Sequence, residues 1–143
     1  MKINEYQQIV NNVVDIEIDT ETIAASRRSS LELRERQNEL IRLRRQINKD
    51  IKSLQIYYLK QRGEIGRKYD DRQKLSQTEK LFNRSKSKNR VQKMKKLDNE
   101  KNRVIGEYKD MQFVIEDLIH QIDDIQGSLQ GNIKSIFEGN MNY

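Results

Sequence analysis

The sequence predicts an all-α fold: a long antiparallel helical hairpin (coiled coil), with a short N-terminal helix packed at the open end and further assembly into a dimeric bundle. Three observations carry this expectation. Proline is absent from all 143 residues, and an interior proline costs a helix about 3 kcal/mol. An apolar seam runs at three- and four-residue steps through Met94, Leu97, Val104, Tyr108, Met111, Ile115, Leu118, Ile122, Ile125 and Leu129, with only Lys101 out of character. A stripe with that 3.5-residue repeat is stable in water only against another helix. Composition agrees: 35% charged and 34% hydrophobic, with no tryptophan. So polar a chain cannot fill a thick core, whereas a coiled coil needs only about two apolar residues per heptad.

Residues 1–30 read as a helical or extended segment. Tyr6, Ile9, Val10 and Val13 share one helical face, with Val14 at its edge, while Val14-Asp-Ile-Glu-Ile18 alternates like a strand. The short helix is preferred. Asp19 and Thr20 offer a break and a new N-cap, and Ser29 with Glu32 has capping-box spacing.

Residues 31–143 read as the hairpin. Its first helix is expected over about 31–71, with Leu33, Leu40, Ile47 and Leu54 at d and Gln37, Arg44, Ile51, Tyr58 and Ile65 at a. Gly63 and Gly66 weaken its far end. The tip is placed over about 72–90, which contains the capping-box pattern Ser76-Gln-Thr-Glu79. The second helix follows from about 90 to 129, and Gly127, Gly131 and Gly139 mark fraying around a final turn of Ile133, Ile136 and Phe137. Two reversal points compete. Folding near residue 86 sets Leu33–Tyr69 level with Arg103–Gly139, where most of the apolar seam lies; folding near 79 sets it against 89–125, which includes lysine-rich turns. The first matches greasy edges better.

Apolar residues also stand off the seam: Leu43, Ile56, Tyr57 and Leu59 in the first helix, Ile105, Phe113, Val114 and Ile119 in the second. A fold near 86 brings Leu59 level with Phe113, so Ile56, Leu59 and Phe113 form a candidate partner patch. The expected partner is a second copy, in a dimeric four-helix bundle, or another helical protein.

Charge is uneven. Lys80 to Lys96 holds eight basic residues and no acidic one, while Glu107 to Asp124 holds six acidic residues against Lys109 alone. The first 25 residues are acidic too, so a basic middle lies between acidic ends. Arg84, Lys86, Lys88, Arg90, Lys93, Lys95 and Lys96 are the candidate contacts for nucleic acid or another polyanion, because clustered cations neutralise phosphates and release counterions. Only Phe82 stands nearby to stack on a base, so any such binding is expected to ignore base sequence. Two other readings are open: pairing with the acidic ends of a neighbouring molecule, and a tip that only solubilises.

Catalysis is not expected. Cysteine is absent, which removes thiolate chemistry, disulfides and cysteine-ligated metals. The one histidine, His120, has Asp117 three residues before it, the spacing of a carboxylate–histidine ligand pair in a metal-binding bundle. The seam, however, sets His120 at the outermost heptad position with Glu116, Asp117, Asp123 and Asp124 beside it in solvent. Gly63-Glu-Ile-Gly66 lacks the strand and the Lys-Ser/Thr of a phosphate loop. No cofactor, metal or small-molecule substrate is therefore expected. The apolar runs are too short for a bilayer, and the N-terminus has no signal-like apolar stretch, so a cytoplasmic location is the expectation. The outline is similar to that of many unrelated helical hairpins, and shape alone assigns no function.

Overall fold

The computed structural model describes the backbone of residues 1–70 and 77–141, and side chains over 1–68 and 87–139. Three helices make up the fold: α1 (Ile3–Val14), α2 (Ile23–Asp70) and α3 (Gln77–Met141), with no strand among the described residues. Helix α2 packs against α3 as an all-α helical hairpin. The chain divides into two compact units, one of Met1–Asn48 with Asp110–Tyr143 (unit 1) and one of Lys49–Lys109 (unit 2).

Local chemistry sets the helix starts. The Lys2 backbone N–H donates to Glu5 Oε2 at 2.9 Å, satisfying a free donor at the start of α1. Helix α2 begins at Ile23, well before residue 31, because Thr22 caps it: the Ala25 N–H donates to Thr22 Oγ1 at 3.0 Å. Ser29 is thus inside α2 and not a cap. Its hydroxyl accepts from the Asp19 N–H at 3.0 Å and donates to the Asp19 carbonyl at 3.1 Å, tying the linker to the helix. Helix α3 is longer than expected at both ends. Residues 77–90, assigned to a tip by composition, are its first turns, and it continues through Gly127, Gly131 and Gly139 to Met141. A glycine in a helix costs about 1 kcal/mol, too little to break one whose neighbours pack. The Ser76 capping pattern lies outside the described residues.

In unit 1 the hairpin faces carry a third helix. Tyr6, Val10 and Val13 of α1 are buried, as their shared face predicts, while Val14 is exposed. Val13, Ile16 and Ile18 stand over Leu33, Leu40, Leu118, Ile122 and Ile125, around an apolar hollow of about 120 Å³. With α1 in place, Leu33, Leu40, Ile47 and Ile115 lose all or nearly all contact with water. Leu43 and Ile119, read as off the seam, are buried too. A helix that meets two neighbours buries a stripe wider than a and d alone. Unit 2 has two helices only. There Ile51, Tyr58 and Ile105 are buried, but Leu54, Ile65, Leu97 and Val104 stay half-buried.

Polar rungs fix the register. In unit 1, Ser30 Oγ and Gln126 Oε1 pair, and Gln126 Nε2 returns a bond to the Ser30 carbonyl at 2.7 Å. Gln37 Nε2 donates to the Ile119 carbonyl at 3.3 Å and to Asp123, and Gln112 donates to Asn48. In unit 2, Tyr58 hydroxyl meets Glu100 at 3.4 Å and Arg62 meets Asp98 at 3.8 Å. Each unit taken alone gives a fold point near 79. The register near 86 is therefore wrong. It assumed a first helix beginning at 31; with α2 beginning at Ile23, the greasy C-terminal turns of α3 already have a partner.

Candidate interaction surfaces

Helix α3 carries every candidate polyanion contact. Arg84 and Lys86 fall on its backbone, and their side chains lie outside the described set. Lys88, Lys93, Lys95 and Lys96 are exposed and Arg90 is half-buried. The described ones group along the helix. Lys93, Lys96 and Arg103 rim a shallow groove floored by Ile65 and Leu97, with Glu100 in it. Lys93, Lys95 and Lys96 also line a second shallow hollow with Asn89, Gln92 and Asn99, and Lys88 stands one turn before Gln92 on the same helix. The Arg90 guanidinium reaches back to Gly66 on α2, 4.0 Å from where a Cβ would stand. Composition had located the charge, but only the helix start at Gln77 shows that it lies along a helix and not on a turn.

Residues 49–109, the whole of unit 2, contain 19 Lys and Arg against 8 Asp and Glu. The remainder, unit 1, contains 9 against 14. The units are thus of opposite net sign, a division that follows the fold and not the three-part pattern of the chain.

Of the candidate partner patch, Phe113 is 73% exposed, Leu59 70% and Ile56 54%. They belong to different units, however. Leu59 belongs to unit 2, beside the level where Tyr58 meets Glu100, and Phe113 to unit 1, beside the level where Gln112 meets Asn48. Each has its own setting. On α3, Phe113 shares an exposed row with Asp110, Asp117 and Asp124. On α2, Ile56 shares an exposed row with Lys49, Lys52, Lys60 and Arg67. The sequence signal for both rows was present, as residues three or four apart, but a search for apolar patches passed over the flanking charges.

His120 is exposed, as its heptad position predicts, and Asp117 beside it accepts from Gln121 Nε2 at 2.8 Å. No cluster of three or more metal-ligating side chains occurs among the described residues. No helix among them is long and apolar enough to cross a membrane. The phenol of Tyr58 is shifted. Burial first, and then the Glu100 carboxylate, push its phenol above the usual value of 10.0. Comparisons with family models, with curated proteins and with solved structures find no match to this chain.

Proposed function

We propose that this is a non-enzymatic coiled-coil interaction or scaffold protein, which oligomerises or docks a helical protein partner through apolar side chains left outside its own core. The observation that carries this reading is the exposure of Phe113, Leu59 and Ile56 on a chain only 34% hydrophobic, where the seam residues find partners within the chain. Burying one such side chain is worth about 1.5–3 kcal/mol, and that free energy is available to a partner. In the variant Ile56→Ser/Leu59→Ser/Phe113→Ser the seam is untouched. It should melt with the native protein, while light scattering shows a smaller particle. Equal masses for the variant and the native chain, or a native mass of one chain at every concentration, overturn self-association and leave docking of another helical protein as the reading.

A second reading is favoured by the excess of cations in unit 2: sequence-nonspecific binding of nucleic acid or another polyanion. Affinity for duplex DNA would then fall with salt at a logarithmic slope of about 0.9 per phosphate neutralised. No binding at low salt removes it.

A further inference from the structure

We propose that the partner is a second copy of this chain, and that the contact sets the Asp110–Phe113–Asp117 row of one copy against the Lys52–Ile56–Lys60 row of the other. This rests on the interaction reading above and names its occupant. Both rows lie on fully described stretches of helix, and all six side chains are exposed.

The rows match in pattern as well as in sign. On α3, Phe113 has Asp110 three residues before it and Asp117 four after, about 4.5 and 6 Å along the axis at 1.5 Å per residue. On α2, Ile56 has Lys52 and Lys60 four residues away on either side, about 6 Å each. An apolar knob between two carboxylates thus faces an apolar knob between two ammonium groups. Laid together, each knob is covered and each charge meets its opposite in either helix direction. Leu59, one turn from Ile56 and 70% exposed, widens the apolar floor for the Phe113 ring. Asp124 extends the acidic row by two turns, and Lys49 and Arg67 extend the basic one.

Self-docking also requires that copies not repel. The chain carries a net +6, but the surfaces that meet belong to units of opposite sign. Approach in this orientation is attractive and like-on-like approach is repulsive, which selects the pairing. The contact joins different surfaces of the two copies. It therefore closes into a dimer if it is made reciprocally and otherwise continues from copy to copy.

The test is a charge swap followed by light scattering at low salt. Asp110→Lys/Asp117→Lys and Lys52→Glu/Lys60→Glu should each melt like the native chain, because none of the four side chains is in the core. Each alone should associate about tenfold or more weakly than native, since two attractions become repulsions. An equimolar mixture of the two should recover mass, because the lysine row of one variant meets the glutamate row of the other. Native-like association of either variant, or no recovery in the mixture, overturns the proposal. If the serine variant dissociates while the charge variants do not, the interaction reading survives and this pairing falls. If the native chain is monomeric, this pairing falls and the interaction reading is reduced to docking another helical protein. Loss of native mass on nuclease treatment assigns the Lys52–Lys60 row to a polyanion instead and also overturns the pairing.

Discussion

Tyr58 lies in the seam of unit 2 with its ring buried, edge-on to Tyr57 at 5.1 Å and with its hydroxyl 3.4 Å from Glu100. Burial disfavours its phenolate and the nearby carboxylate does so further, so the folded pKa is above the unfolded one. The unfolded chain releases this proton first, near pH 10. The stabilisation is complete below that value and is lost as pH rises through it towards the folded pKa. Urea unfolding at stepped alkaline pH should therefore show native stability falling faster than that of Tyr58→Phe; parallel curves would refute the assignment. Single polar residues were the least legible part of the sequence. Ser29 read as a cap and Gln37 as a leak in the seam. They bond to Asp19 and to Asp123 with Ile119, partners that spacing alone could not supply.

At the scale of the helices, apolar periodicity was a dependable guide to which side chains meet and a poor guide to where helices stop. The seam holds in unit 1, where Leu40, Ile47 and Ile115 are fully shielded. It also ranks two neighbours that periodicity treats alike. Ile115→Ala should cost about 2–5 kcal/mol, the range for a fully buried aliphatic residue. Leu118 is half-buried at the rim of the hollow beneath α1, so Leu118→Ala should cost less. Comparable midpoint shifts in denaturant would mean that the two positions do not differ in burial as described. The helix ends were misread because glycine and lysine runs lower helix drive only slightly, while packing against a partner supplies far more. The register went astray for the same reason: the seam cannot be placed without knowing that α2 starts at Ile23 behind its Thr22 cap, and the polar rungs then decide it.

At the scale of the whole chain, length and composition revealed the fold class and the absence of proline made it firm, but they said nothing of a partner. The linear charge pattern was visible as acid, base, acid. What it became depends on the hairpin, which brings the first 48 residues and the last 34 into one unit and leaves the basic middle as the other. The exposure of Ile56 and Phe113 was legible in the sequence, and their membership of different units was not, because that division follows from the register.

That division has a consequence at the bench. A charged bead senses only what lies within about a Debye length, about 8 Å at physiological salt and longer in dilute buffer. One unit holds 19 cations against 8 anions and the other 14 anions against 9 cations, so each attracts a bead of the sign opposite to its own. At neutral pH and about 0.1 M salt, where the Debye length is about 10 Å, the protein should be retained by a cation exchanger and by an anion exchanger alike. Flow-through on the anionic-selective resin, as a uniform pI near 9.5 would dictate, would show that the two charge populations cancel before any surface can read them.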